Sequence, residues 1–289
     1  MSGATGFVGP ALKAELEARG DRVVGFSRRG GPGRVQWDPV AARPPAEAFD
    51  GMDAVIHLAG ESVVGLWTAA KRKVIQDSRI VGTRNLVAAF GQLDRPPATL
   101  ISASAVGYYG DRGDEELTEE SAPGEGFLPD TCLGWEEAAL EAENLGVRVV
   151  RLRIGIVLAT GGGALGAMLL PFKMGLGGPL GSGRQWSSWI TRKDLIRLVM
   201  FALDRDDVAG AVNATAPNPE RQKDFAKTLG RVLRRPAFLP APAFALKLIL
   251  GGFSAELLSS KKVLPKAAES YGFAFEQPGL EPALRQILS

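Results

Sequence analysis

The sequence predicts an α/β chain: a doubly wound parallel sheet with helices on both faces, followed by a smaller, mainly helical lobe. Three observations carry this. A glycine-rich turn, Ser2-Gly3-Ala4-Thr5-Gly6-Phe7-Val8-Gly9, runs straight into an amphipathic helix. Short apolar runs recur at 21–27, 53–60, 99–105 and 147–155, with helical patterns or loops between them. From Leu158 onward that alternation gives way to glycine, proline and helical stretches.

At 289 residues and 45% apolar, the chain can bury a full core, as one domain with a lobe or two closely packed domains. Its 34 basic and 32 acidic side chains leave a formal charge of +2, so neither nucleic acid nor an anionic membrane is an expected partner. Cys132 and His57 are the only residues of their kinds, which excludes an internal disulfide and any cysteine- or histidine-rich metal site. No run nears the roughly 18 apolar residues of a membrane span, and no signal peptide opens the chain. A cytoplasmic enzyme with a small-molecule substrate is expected.

The opening turn reads G-x-x-G-x-x-G. Gly3 allows a tight turn, Gly6 lets the backbone approach a pyrophosphate, and Gly9 lets the helix pack against the sheet; Thr5, Phe7 and Val8 complete the loop. The helix over 10–19 puts Leu12 and Leu16 on one face and offers its first amides to anionic oxygens. Pro10 loses nothing there, because its N–H would be unpaired anyway. The loop is therefore expected to bind a dinucleotide. Only Met1 and Ser2 precede Gly3, so the strand expected to lead into it is missing. Either the start was placed a few residues late, the favoured reading, or the sheet lacks its central strand.

The run 21–27 is the next strand, and the three residues at its end select the cofactor. A site for NAD usually places a carboxylate here for the ribose hydroxyl, whereas this chain places Ser27-Arg28-Arg29. Guanidinium forks and a hydroxyl suit a 2′-phosphate, so NADP(H) is expected. The alternative is that the two arginines merely open a solvated loop. Residues 30–45 form a loop with at most one short strand, around 35–37. The run 53–60 is a buried strand whose end offers Leu58, Ala59 and Gly60 as backbone contacts to the cofactor. His57, inside it, reads as a satisfied core histidine rather than a catalytic one.

Residues 67–90 are helical, and the pattern alone does not distinguish Arg79 from its other basic residues. The strand over 99–105 runs into Val106-Gly107-Tyr108-Tyr109-Gly110, placing the hydroxyls of Ser104, Tyr108 and Tyr109 where a nicotinamide ring would lie. An equal alternative has Ser102 and Ser104 capping the turn while the tyrosines pack. A loop over 111–126 precedes a helix over 131–145, ended by Gly146, and a strand over 147–155 carrying Arg153. A Rossmann-like domain is expected over 1–157, with 190–215 returning to it. The substrate lobe takes 158–189, a flexible lid-like stretch, and 216–289.

Together, Ser2–Gly9, His57-Leu58-Ala59-Gly60, Ser104 to Gly110, Gly175 to Gly183, Trp186 to Asp194 and Ser260 to Lys266 resemble extended short-chain dehydrogenase/reductases. More narrowly they resemble the epimerase-family subgroup related to NAD-dependent epimerase/dehydratases that act on nucleoside-diphosphate sugars. The resemblance implies that Ser27 and Arg28 hold the adenosine phosphate and that Leu58 and Ala59 line the adenine–ribose side. It also implies that Arg79 turns toward the cofactor, that Arg153 lies near the nicotinamide end, and that Ser104 matches the serine that meets the substrate's reacting oxygen. One departure stands out. The superfamily's Tyr-x-x-x-Lys pair falls on Thr131 and Trp135, and a threonine hydroxyl ionises too poorly to replace a phenol.

Two functions are compatible with these residues. The first is an NADP-dependent oxidoreductase or epimerase acting on a small polar substrate, sugar derivatives among the candidates, with Tyr108 or Tyr109 as proton donor and Ser104 orienting the oxygen. The second is a catalytically silent NADP(H)-binding sensor, favoured by Thr131 and Trp135. A homodimer is compatible with either.

Overall fold

The computed structural model describes residues 1–289. Helix α1 (Gly9–Ala18) leads to strands β1 (Gly25–Ser27), β2 (Arg34–Gln36) and β3 (Ala54–His57), then α2 (Ala69–Phe90) and β4 (Thr99–Ala105). A 3-10 turn at Val106–Tyr109 and the short β5 (Glu116–Leu117) precede α3 (Phe127–Leu140), β6 (Arg148–Ile154) and β7 (Ile156–Leu158). Next come α4 (Gly163–Lys173), β8 (Trp186–Ser187), β9 (Trp189–Thr191), α5 (Arg192–Asp204), β10 (Gly210–Ala214) and β11 (Glu220–Arg221). The chain closes with α6 (Gln222–Leu233), α7 (Ala243–Leu250), α8 (Phe253–Leu258), β12 (Lys262–Val263), α9 (Lys266–Ser270) and α10 (Leu280–Leu288).

Four strands form an all-parallel sheet in the order β10-β6-β4-β3. Met1 and Ser2 extend it. Ser2 N donates to Ile56 O at 2.9 Å, and Phe26 N donates to Met1 O at 2.9 Å. These two residues thus hold the central strand position between β3 and the parallel β1–β2 pair. Strand order reverses there, which puts the topological switch point beside the glycine turn.

Doublets of apolar residues explain why the sheet is covered on both faces. Successive strand side chains point to opposite sides. Val55, Leu100 and Val149 enter one core with Leu86, Phe90 and Ala139 of α2 and α3. Their neighbours Ile56, Ile101 and Val150 enter another with Leu12 and Leu16 of α1 and Val199 of α5. Each such side chain contributes roughly 1.5–3 kcal/mol on full burial.

The helical lobe has its own core of Phe172, Trp189, Phe225, Leu229 and Leu284. Two expectations change here. The stretch after Leu158 folds as α4, burying Leu165 and Phe172, and 174–183 runs beside 235–241 through Leu239 N to Gly177 O and Gly181 N to Ala241 O. The helix expected from 131 begins at Phe127, because Pro129 sits in a first turn that needs no N–H from it.

Candidate functional site

At the switch point α1 starts behind Val8 with no side-chain cap. Its first amides are left for an anionic ligand, and the helix dipole favours one. The loop ahead of it is tightly folded. Gly6 N donates to Gly3 O at 3.0 Å, and Gly3, at φ +72, would place a Cβ 2.8 Å from the Leu58 carbonyl carbon. A Cβ on Gly9 would fall 2.1 Å from Gly3 O. Gly9 is therefore demanded by the loop returning on itself, not by helix-on-sheet packing as the sequence suggested. Thr5 and Gly6 are exposed, Val8 leans on the core, and the Phe7 ring lies 5.5 Å from the Arg192 guanidinium.

One strand away, β1 ends at Ser27, whose Oγ accepts from Arg29 N at 3.4 Å. Arg28 and Arg29 are exposed, and neither guanidinium pairs with a carboxylate. Across the crevice, Leu58 and Ala59 are half-buried and Gly60 is exposed. Arg79 lies beneath this turn, donating to Glu61 O at 3.0 Å and Ile75 O at 3.1 Å, with its Cζ 5.1 Å from the Trp135 ring. Burial lowers its pKa from the usual arginine value. A hydrogen bond from Lys71, working against burial, and the charges of Lys71, Arg28 and Arg79 hold the Glu61 carboxyl below its ordinary range.

His57 is fully buried, its Nδ1 2.6 Å from Ser2 Oγ and its Nε2 3.0 Å from Thr83 Oγ1. Burial pushes its pKa from 6.5 down to about 4. The unfolded ring takes a proton near pH 6.5 that the folded ring refuses, so this stability is complete above pH 6.5 and is lost as pH falls toward 4. The expected loss is about 3 kcal/mol. Urea unfolding from pH 7 to 4, compared with His57→Gln, checks it: the difference between the two proteins must change across this window. A constant difference would contradict the assignment.

At the ends of β4 and β6 a buried polar cluster forms. Ser104 Oγ donates to Glu136 Oε1 at 2.7 Å, and Arg153 grips both Glu136 oxygens at 2.8 and 3.0 Å. Arg151 adds a bond to Glu136 Oε2 at 3.0 Å. Arg153 also donates to the Tyr109 hydroxyl at 3.0 Å, which donates in turn to Asn213 Oδ1 at 2.6 Å. Burial opposes the charge on Arg153, but the bonds and charge of Glu136 overcome it and raise its pKa. Burial pushes the Tyr109 hydroxyl up to about 12, with Arg153 as the counterweight. The Arg153 guanidinium also lies 3.6 Å from the centre of the Tyr108 ring. Ser104, Tyr109 and Arg153 are thus brought together, and the Tyr108 hydroxyl alone stays outside the hydrogen bonding. Thr131 donates back to Phe127 O at 2.6 Å, and Trp135 Nε1 is buried without a partner.

Beside this crevice lies a cavity of about 860 Å³. Phe7, Val106 and Val157 line its crevice side, and α4, α7 and α8 supply much of the remainder. None of Ser104, Tyr108 and Tyr109 reaches its wall. Its only ionisable lining groups are Glu256 and Lys261, paired at 3.2 Å. Most lining side chains offer no hydrogen bond to a ligand.

Sequence reasoning missed Glu136, Arg151, Asn213 and this cavity. A signal for the first existed. Arg151 and Arg153 alternate on one face of a buried strand and require a buried carboxylate opposite.

Strand order, glycine turn and open helix terminus define a dinucleotide-binding α/β protein. Residues 1–214 match the NAD dependent epimerase/dehydratase family, and residues 241–287 match a domain of unknown function. The chain belongs to the NAD-dependent epimerase/dehydratase family. It is 39% identical over 296 residues to epimerase family protein YfhF of Bacillus subtilis, covering 100% of this chain and 97% of that one. It is 37% identical over 295 residues to human epimerase family protein SDR39U1, covering 100% and 99%. The crystal structure of human SDR39U1 with NADPH superposes with a TM-score of 0.92 at 36% identity, covering 99% of this chain and 97% of that one. A nucleoside-diphosphate sugar epimerase from Corynebacterium glutamicum gives a TM-score of 0.82 at 34% identity, covering 99% of this chain and 57% of that one.

Proposed function

We propose that this chain is an NADPH-dependent oxidoreductase that reduces a carbonyl compound held in the cavity. The continuity of the phosphate-binding turn with that cavity, through Phe7, Val106 and Val157, carries the reading. The residues present fit the cofactor: the uncapped α1 terminus meets the diphosphate, Gly3 and Gly9 leave the room a Cβ would fill, and unpaired Arg28 and Arg29 meet the 2′-phosphate. The human relative's crystal structure with NADPH supports the same choice. We assign 1–157 with 190–215 to the cofactor, and 158–189 with 216–289 to the substrate.

When bound, NADPH supplies a hydride to the carbonyl carbon. The protein supplies placement and a proton. Leu58, Ala59 and Gly60 border the crevice, Arg79 fixes their turn from below, and the helical lobe supplies most of the cavity's apolar walls. Ser104 and Tyr109 spend their hydroxyls inside the Glu136–Arg153 cluster and position the end of β4. Tyr108 lies outside the cavity wall, so it protonates a substrate oxygen that projects from the cavity into the crevice; its hydroxyl is the one left free there, and the Arg153 guanidinium lies over its ring. Tyr108→Phe is expected to lower turnover about a hundredfold or more with NADPH affinity unchanged. Loss of NADPH absorbance with a panel of aldehydes and ketones tests the reading; tight NADPH binding with no oxidation by any of them would contradict it.

A second reading, a silent NADPH sensor, is favoured by one observation. The helix position of the family's acid/base holds a threonine bonded to its own backbone. A protein partner captured only in the presence of NADPH, and retained by Ser104→Ala, would support it.

A further inference from the structure

We propose that the cavity selects an uncharged, chiefly aliphatic molecule carrying one oxygen function, and excludes nucleotide sugars. The inference rests on the oxidoreductase reading for its place beside the cofactor, but its chemistry comes from the walls. From α4 come Ala167, Met168 and Phe172; from the strand-like stretch after it, Leu176 and Leu180. Leu246 and Leu250 of α7 and Phe253 and Leu257 of α8 close the opposite side. A volume of about 860 Å³ lies within the roughly 300–1,000 Å³ of small-molecule sites.

What the walls lack is as informative. A nucleoside diphosphate carries two phosphate charges, and burying them without cations costs several kcal/mol per ion. No arginine lines the cavity. Its one lysine, Lys261, is 5% exposed and already bonded to Glu256 and Ser259, so the pair presents no net charge to a ligand. The hydroxyls of Ser62 and Ser187, by contrast, line the wall and make no side-chain bond there beyond Ser62 Oγ accepting from Val64 N. They offer hydrogen bonds along the wall but no cation for a phosphate. The apolar character continues outward: Leu170, Met174, Leu239 and Leu248 stand exposed around the helices that frame the cavity.

The test uses the full chain loaded with NADPH and a homologous series of alcohols, pentanol, heptanol, nonanol and undecanol, titrated calorimetrically. Alcohols do not react with the reduced cofactor, so binding is measured apart from turnover. Affinity is expected to rise about fourfold per added methylene, the equivalent of about 0.8 kcal/mol per buried CH₂, while UDP-glucose shows no binding. A flat series, no binding by any alcohol, or UDP-glucose binding more tightly than undecanol overturns the proposal. Ala167 lines the cavity from an exposed position on α4, so Ala167→Trp fills space without opening a core. The variant should keep its thermal midpoint and lose about tenfold or more of undecanol affinity relative to pentanol. An undiminished chain-length gain in that variant would place the ligands elsewhere and overturn the proposal. The matching aldehydes then separate this inference from the one beneath it. Alcohols that bind while aldehydes leave NADPH unoxidised uphold the cavity's chemistry and defeat hydride transfer. NADPH oxidation by a keto-sugar nucleotide, whose carbonyl accepts the hydride, does the reverse.

Discussion

Glu136→Gln is expected to lower folding stability by about 3–5 kcal/mol. Glu136 is 3% exposed and accepts from Ser104, Arg151 and both ends of the Arg153 fork. Glutamine preserves the volume and one acceptor oxygen but removes the charge that holds two guanidinium groups away from water. It also presents an amide N–H₂ to donors that have no acceptor to offer. With a typical domain stability of about 5–15 kcal/mol, the loss consumes a large share. Denaturant unfolding measures it directly. Ser104→Ala, which deletes one bond and leaves the charges paired, should cost far less, about 1–2 kcal/mol. Equal effects for the two variants would mean that the cluster is held by something other than the carboxylate.

Gly9→Ala is expected to reduce NADPH affinity about a hundredfold or more, the equivalent of about 2.8 kcal/mol. The added Cβ would sit 2.1 Å from Gly3 O and 2.7 Å from the Ala4 carbonyl carbon. Both obstacles are backbone, so the loop must open, and opening it withdraws the amides at the start of α1 from a common focus. Gly166→Ala is the matched control: on α4, with nothing within 4 Å of its Cβ, it should leave NADPH affinity unchanged. Titration of cofactor fluorescence against both variants reads the difference. Equal affinities would mean that the turn does not hold the diphosphate.

Much of the sheet was legible because its signals are local. Val55-Ile56, Leu100-Ile101 and Val149-Val150 each fill two cores, so the strands appear as unbroken apolar runs. The glycine turn was legible because its φ and close approaches admit so few other residues. Helix α4 was not, because Gly161 to Gly163 and Pro171 are breakers, and only packing of Leu165 and Phe172 against Trp189 and Phe225 overrides them. The cavity was invisible for a different reason. Most of its walls come from segments 164–180 and 239–261, which periodicity treats as unrelated. Likewise Glu136 looks like one more helix carboxylate until β6 brings two arginines onto its face.

If backbone amides at α1 and free guanidinium groups after β1 together choose NADPH, one titration shows it most directly. Equilibrium binding of NADPH and NADH to the native chain and to Arg28→Ala should show at least about a tenfold preference for NADPH in the native protein, falling toward parity in the variant. Equal affinity for the two cofactors in the native protein, or a preference that survives the loss of Arg28 undiminished, would contradict it.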